Sequence, residues 1–342
     1  MKHHKTVYST WLREVVSILE EMGLDTEQVT AELPALNSKH PSKSSWVEVS
    51  SARRLWHSAF AHTHDLDIGF KVGKRLSIRA FNVLAVLLSH SPSAASAMEN
   101  TARYQQLLSQ SGTFHHAIKE GKLVAQYQPA KSHFPIHHTQ IDSVLTAFVK
   151  ALRLFISEKI SLINVNLVGK QRGSLSNYED FFQCPVNLNQ PTASLVFPVQ
   201  LLNLPLDNTD PAIYRMAKSL AEDRLNQLQD TEQLHSSVAE AIAQLNYANA
   251  DINEVANTLT LTTRTLQRKL KNSGTSFRQI QEETIFREAS RLLATTKTSI
   301  FELALMTGYT ETSSFTRAIK KVSGMSPVEI RKKYQAEAII IL

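Results

Sequence analysis

The sequence predicts an α+β first domain, in which helices accompany an antiparallel sheet, followed by an all-α second domain carrying two helix-turn-helix motifs. Three observations lead there. Helical periodicity in the first hundred residues gives way to β-type alternation. A stretch free of Gly and Pro then runs from Ala212 to Ser273, and a helix-pair pattern in the last third of the chain occurs twice. A chain of 342 residues favours two domains, and 42% hydrophobic with 20% charged residues is the balance of a soluble globular protein.

In the first domain, "STWLREVVSILEEMGL" sets Trp11, Leu12, Val15, Ile18, Leu19 and Met22 on one helical stripe. "SARRLWHSAFAHT" predicts a second helix, and "AFNVLAVLLSHS", apolar all round, a buried third. "TFHHAIKEGKLVAQYQPA" predicts a hairpin turning at Glu120-Gly121-Lys122. The helix "IDSVLTAFVKALRLFISEKI" follows, then strands in "SLINVNLVG", "PVNLN" and "SLVFPV". Pro211 after Asp210 reads as a first-turn proline behind its cap, opening a semi-rigid helical connection. The resulting boundaries are 1–205 for a sensing and dimerisation domain, 206–234 for a helical linker, 235–336 for the second domain and 337–342 for an apolar tail.

The repeat is explicit. Ile252, Val255, Ala256 and Leu259 form a stripe that recurs as Ile300, Leu303, Ala304 and Thr307, each behind a cap pattern, Asp251 with Glu254 and Ser299 with Glu302. Of the two caps, only the second has the S-x-x-E form. In the second helices, offset by 49 residues, the inward Leu266 and Leu270 become Phe315 and Ile319. The outward stripe Arg264, Gln267, Arg268 and Lys271 becomes Ser313, Thr316, Arg317 and Lys320. Neither stripe holds an acid, whereas solvated faces normally mix signs. Two short helices joined by a three- or four-residue turn make a helix-turn-helix, whose second helix fits a major groove about 12 Å wide. Arg and Gln suit base edges there, and Lys271 and Lys320 suit phosphates. Both units close alike, "KNSGTSF" and "KVSGMSP", with Gly274 and Gly324 as expected C-caps and a Ser opening the next helix. "SFRQIQEETIFREASRLLATTK" predicts one long helix between the units, holding the two outward helices about 34 Å apart on one DNA face. The net charge of +6 is concentrated here: from Ser236 onward there are 14 Lys/Arg against 10 Asp/Glu. That excess is compatible with a polyanion partner without establishing one.

Residues 236–334 resemble the DNA-binding domain of AraC/XylS-type bacterial transcription regulators. The resemblance is carried by "LTTRTLQRKLKNSGTSF" and "IFELALMTGYTETSSFTRAIKKVSGMSPVEIRKKY". It implies a seven-helix unit with two helix-turn-helices reading successive major grooves. It further implies base-facing roles for Thr263, Arg264, Gln267 and Arg268, and for Thr312, Ser313, Ser314, Thr316 and Arg317. Glu311 departs from the pattern at a capping position, so Thr310 or Thr312 is expected to cap instead, and the short polar residues beside it imply weaker base reading than in the first unit. Residues 15–210 resemble, less specifically, the sensor domain of the ornithine-responsive subgroup, often labelled arabinose-binding, through "AFNVLAVLLSHSPSAASAMENTARYQQLLS" and "YEDFFQCPVNLNQPTASLVFPVQLLNLPLDNTDP". The label does not establish a sugar ligand. The resemblance implies double-stranded promoter DNA, RNA polymerase, a small-molecule effector (an amino acid, a fatty acid or another small organic molecule) and a homodimer as partners. It implies activation as the commoner role and a place in the bacterial cytoplasm at the nucleoid. The helix Tyr214 to Gln229 is expected to couple sensing to DNA binding.

Other chemistries find no support in the sequence. There is no Gly-rich phosphate loop, no G-x-S-x-G and no interpretable carboxylate pair, so no catalytic residue and no cofactor is expected. His62, His64, His133, His137 and His138 lack the paired Cys or H-E-x-x-H context of a metal site and read as surface or hairpin residues. Cys184, the one cysteine, forms no internal disulfide and reads as a small buried hydrophobe. No apolar run approaches the roughly 20 residues of a membrane span, and the basic N-terminus lacks the form of a signal peptide, so no membrane partner is expected. The effector-binding residues stay unknown, although the helix Phe81 to Leu88 and the hairpin aromatics could line an apolar pocket or simply fill the core. For the tail "QAEAIIIL", packing on the body and an interdomain or dimer contact both stand.

Overall fold

The computed structural model describes residues 5–25, 46–132, 134–158, 160–206, 209–273 and 275–332. Within these the chain divides into two compact units, one holding Lys5–Leu228 and the other beginning at Gln229. The C-terminal tail, Gly274 and His133 lie outside the described residues.

The first unit opens with β1 (Thr6–Tyr8) and α1 (Ser9–Glu21), then β2 (Trp46–Glu48) and α2 (Val49–Thr63). β1 and β2 pair antiparallel, Val7 opposite Val47. Helical periodicity in the first hundred residues gives no hint of these three-residue strands, because so short a strand offers no alternation to read. α3 (Ile68–Arg75), α4 (Val83–Ser89) and α5 (Ala94–Tyr104) complete the helical part. The predicted stripe of α1 is largely confirmed: Leu12, Val15, Ile18 and Leu19 are buried with Leu55 and Trp56 of α2, while Trp11 and Met22 pack at the edge of the cluster. α4 is mostly buried as expected, with Val86 the exception at 43% exposure.

The hairpin consists of β3 (Gly112–Lys119) and β4 (Lys122–Pro129). Its turn is the pair Glu120-Gly121, with φ of 49° and 71°; Lys122 already pairs with Lys119. Positive φ at both positions is what a two-residue primed turn requires, and Gly adopts it freely. α6 (His138–Phe155) crosses behind the sheet, followed by β5 (Asn164–Asn166), α7 (Leu175–Phe182), β6 (Val186–Asn187) and β7 (Ala193–Pro198). The sheet order is β3-β4-β7-β5-β6. The sheet is antiparallel as expected apart from one pair, β5 and β6, which run parallel with Val165 opposite Val186. α7 supplies the crossover that a parallel pair needs and a hairpin does not.

α6 organises this unit. Its Leu145, Phe148, Val149 and Leu152 are buried with Phe114, Tyr127, Leu195 and Phe197 of the sheet. Burial of a side chain of this size contributes about 1.5–3 kcal/mol. The opposite side of α6 approaches α3 closely: a Cβ at Gly69 would lie 1.7 Å from the Thr139 carbonyl oxygen, and one at Gly73 would lie 2.7 Å from that of Ser143. Asp142, also on α6, accepts two hydrogen bonds from Arg172, 2.6 and 2.9 Å, and one from the Tyr178 hydroxyl, 3.0 Å. Burial pushes the Asp142 carboxyl upward, and these three donors hold the charged form against it. Cys184 is half-buried rather than fully buried, and desolvation raises its thiol to about 11, where little reactive thiolate exists.

α8 (Pro211–Gln244) contributes to both units. The Asp210 carboxylate accepts from the N–H groups of Ala212 and Ile213, so Pro211 occupies the first turn as predicted. Ala217, Ala221, Leu225 and Leu228 are buried against Val83, Leu84 and Leu87 of α4 and against Tyr104 and Leu107. No helix among the described residues is long and apolar enough to cross a membrane.

The second unit continues with α9 (Ile252–Thr258), α10 (Thr263–Asn272), α11 (Phe277–Thr295), α12 (Ile300–Met306) and α13 (Thr312–Ser323); residues 327–332 are again helical. Two small cores result. Val255, Ala256, Leu266 and Leu270 pack with Val238 and Ile242 of α8 and Ile280 of α11. Leu303, Ala304, Phe315 and Ile319 pack with Ile285, Phe286, Ala289 and Leu293 of α11. The long helix expected between the repeats therefore serves one core with its first turns and the other with its remainder.

Candidate nucleic-acid interface and effector cavity

Each helix pair is fixed by local chemistry before any packing. Both α9 and α12 start in a capping box, including the first, whose Asp251 does the work that the sequence reading reserved for the S-x-x-E form. Asp251 accepts from the Asn253 N–H at 2.8 Å, and Ser299 accepts from the Glu302 N–H at 3.2 Å. The exits match as well. Leu261 N–H donates to the Ala256 carbonyl and Tyr309 N–H to the Ala304 carbonyl, both at 2.9 Å, closing the same left-handed C-terminal turn. The residue in the left-handed conformation is Thr260 (φ 55°) in the first unit and Gly308 (φ 84°) in the second. Gly308 has a second reason to be glycine, since a Cβ there would lie 2.4 Å from the Asn246 carbonyl oxygen.

The turns then differ in length. Residues 259–262 separate α9 from α10, whereas 307–311 separate α12 from α13. The second turn is one residue longer than a three- or four-residue turn, which is why the first helices match at an offset of 48 and the second helices at 49. Thr262 caps α10 by accepting from the Thr265 N–H at 3.2 Å. α13 has Glu311 at its N-cap with no side-chain cap bond; neither Thr310 nor Thr312 takes that role, and Ser313 instead donates to the Glu311 carboxylate at 3.1 Å. The uncapped start correlates with the acid there, since Glu is too long to fold back as Ser, Thr or Asp do.

On α10 the inward Leu266 and Leu270 are fully buried, and Arg264, Gln267, Arg268 and Lys271 are exposed. Thr263, half-buried, donates to the Asn253 side chain at 2.7 Å and so ties the start of α10 to α9. On α13, Phe315 and Ile319 are buried, Ser313, Arg317 and Lys320 are exposed, and Thr312, Ser314 and Thr316 are half-buried. Arg264, Arg268, Lys271, Arg317 and Lys320 have no ion-pair partner among the described residues. Lys321, by contrast, is paired with Glu282 of α11 at 2.7 Å. Lys269 is also exposed on α10 and was not among the expected residues. Two acid-free, cation-bearing helix faces are the local geometry that a phosphate-lined groove accepts.

The first unit contains a cavity of about 90 Å³ at the seam between its helical cluster and its sheet. Leu84 and Leu88 of α4, Phe114 and Tyr127 of the hairpin, Trp11 of α1, Trp56 of α2 and Phe148 of α6 line it, so Phe81 to Leu88 and the hairpin aromatics do face an opening. No side chain that carries a charge lines it. Besides the indoles of Trp11 and Trp56, its polar side chains are Thr101, Gln105, Ser109, Ser111, Gln140, Ser143 and Tyr127. The sequence reading missed Gln140 and Ser143, although their spacing of three on the buried face of an apolar helix was a usable signal. Among the described residues no group of three or more His, Cys, Asp or Glu could hold a metal ion. His57, Phe60, His137 and His138 form a ring cluster, and His137 caps α6 by accepting from the Thr139 N–H.

Comparison with known proteins agrees with this architecture. Residues 23–206 match the arabinose-binding N-terminal domain of AraC transcription regulators, and residues 255–333 match a helix-turn-helix domain. The chain belongs to the AraC family of transcription regulators. The ornithine utilization regulator of Pseudomonas aeruginosa is 23% identical over 282 residues, covering 82% of each chain. The regulator VqsM of the same organism is 27% identical over 159 residues, which is 46% of this chain and 49% of VqsM. The crystal structure of the transcriptional regulator CdpR, also from Pseudomonas aeruginosa, aligns over 90% of this chain and 98% of its own at 17% identity, with a TM-score of 0.44.

Proposed function

We propose that this protein is a ligand-responsive, non-enzymatic transcription activator that reads two successive major grooves with α10 and α13. The observation that carries this reading is the pair of exposed helix faces without acids, whose Arg264, Arg268, Lys271, Arg317 and Lys320 form no ion pair among the described residues. Arg264, Gln267 and Arg268 read bases in one groove, with Thr263 at the helix start. Thr312, Ser313, Ser314, Thr316 and Arg317 make the shorter-reaching contacts in the next, and Lys271 and Lys320 hold phosphates. Residues 235–336 form the DNA-binding part.

Effector control follows from what the cavity touches within the first unit. Leu84 lines the cavity and belongs to the same buried cluster as Ala221 and Leu225 of α8. A ligand that displaces Leu84 therefore acts on α8, whose residues Tyr214 to Gln229 carry the change along the chain toward Val238 and Ile242 in the first DNA-binding core. The ligand works through different affinities for two arrangements of α8. A sugar is disfavoured, because its many hydroxyls would find few free partners on an apolar wall; a small, mostly apolar organic molecule suits it. Family resemblance supports activation, a homodimer that raises effective affinity, contact with RNA polymerase, and action in the cytoplasm at the nucleoid.

Selection of bound duplexes from a random pool by the full-length chain tests this reading. The expected product is two enriched blocks about one helical turn apart, with a stronger consensus in the block read by α10. A single block, or no enrichment over input, contradicts it.

A further inference from the structure

We propose that Gln140 and Ser143 are the effector-recognising pair of the cavity, and that they select an uncharged, largely apolar molecule carrying one hydroxyl-type head group. The inference rests on the reading of this cavity as the effector site.

Apart from the indole N–H groups of Trp11 and Trp56, the other polar side chains on the wall already have a partner. Thr101 donates to the Ala97 carbonyl at 2.9 Å. Gln105 accepts from the Phe114 N–H at 2.7 Å and donates to the Ala102 and Phe114 carbonyls. Ser109 and Ser111 bond each other at 2.7 Å, and the Tyr127 hydroxyl reaches Ser111 at 3.5 Å. Among the described residues, Gln140 Oε1 and Ser143 Oγ are the buried polar atoms of this wall without a hydrogen-bond partner, in residues only 4% and 1% exposed. A helical serine can satisfy itself by donating to the carbonyl four residues back, as Ser89 does. Ser143 does not. Leaving such groups unpaired costs free energy, which a polar partner entering the cavity recovers.

The two atoms define what that partner must be. Gln140 Oε1 only accepts, whereas the Ser143 hydroxyl can donate or accept. Both sit on one face of α6, three residues apart, so a single hydroxyl can donate to Gln140 and accept from Ser143. The rest of the wall, Leu84, Leu88, Phe114, Phe148 and the two tryptophans, demands an apolar body. A carboxylate or ammonium group would meet no counter-charge there. The buried Arg53 does not line the cavity; its terminal nitrogens go to the carbonyls of Phe134 and Ala130, each at 2.6 Å, and to that of Ser111 at 3.4 Å.

The test uses the full-length protein with phenol, toluene and benzoate, three probes of one shape that differ in the head group. Calorimetric titration is expected to show phenol binding about tenfold or more tighter than toluene, because a site built to hydrogen-bond a hydroxyl rejects the analogue lacking it. Benzoate should bind weakest. Gln140→Leu and Ser143→Ala are expected to erase the preference for phenol. Both should also raise the Tm of the ligand-free protein, since an unpaired polar atom is removed; a purely structural glutamine would lower it. Equal binding of phenol and toluene overturns the recognition pair while leaving the cavity as the effector site. Tightest binding by benzoate overturns the uncharged head group. Binding of none of the three overturns the cavity reading together with the pair. The wild-type comparison stands even where a variant fails to fold.

Discussion

Lys321 Nζ donates to both carboxylate oxygens of Glu282, at 2.7 and 2.8 Å, across the contact between α13 and α11. Its neighbour Lys320 has no such partner among the described residues and is exposed on the outward stripe. Adjacent residues of the same type thus have separate roles. Lys320→Ala should leave unfolding unchanged and lower the slope of log K against log salt by about one, the signature of one lost phosphate contact. Lys321→Ala should leave that slope alone and cost at most about 1 kcal/mol of stability, as a solvent-facing pair does. Salt-titrated DNA binding alongside urea unfolding reads both, and an equal slope change for the two variants would refute the assignment.

Thr260 and Gly308 occupy equivalent left-handed turn positions. A β-branched residue is strained there by roughly 1–2 kcal/mol, and glycine is not. Thr260→Gly is therefore expected to stabilise the second unit by about 1 kcal/mol, while Gly308→Ala, with its added clash against Asn246, destabilises by more than about 1 kcal/mol. Equilibrium unfolding of the two variants checks the opposite signs.

Acid should weaken the first unit through two half-buried imidazoles. Desolvation lowers His116 to about 4, helped by His115, and lowers His137 to about 4, helped by His138, His57 and Arg172. Both folded values lie below the ordinary value of 6.5, so the unfolded chain binds protons that the native state refuses. Stability contributed by the neutral rings is present above about 6.5 and is lost as pH falls from there toward 4. The double variant His116→Gln/His137→Asn, which keeps a capping side chain on α6, should flatten stability across that window in urea melts at pH 7 and 5. An unchanged slope would show that other groups dominate.

The parts of this molecule that were legible in the sequence are those set by neighbours along the chain. The capping residues of α9 and α12, the turn at Gly121 and the buried Leu266 and Leu270 against the exposed Arg264 and Arg268 each follow from spacings of two to four residues. What stayed hidden depends on residues far apart in sequence. The parallel pairing of β5 with β6 needs α7 as a crossover, and β1 meets β2 across some forty residues. Thr260 in a left-handed turn goes against its own propensity, and nothing local announces it. Gln140 and Ser143 sit three apart on α6, but their place on a cavity wall, without a hydrogen-bond partner among the described residues, depends on α1, α2, α4 and the hairpin far away in sequence.

Base reading by α10 is the central claim, and Arg268→Ala tests it most directly. Binding to the selected duplex and to single-base variants of its α10 half-site should be measured over a range of salt, with Lys320→Ala as the phosphate control. The account predicts that Arg268→Ala loses about 1–3 kcal/mol of discrimination at one or two base pairs, whereas Lys320→Ala weakens all sequences about equally. Equal loss of discrimination in both variants, or none in Arg268→Ala, would contradict it.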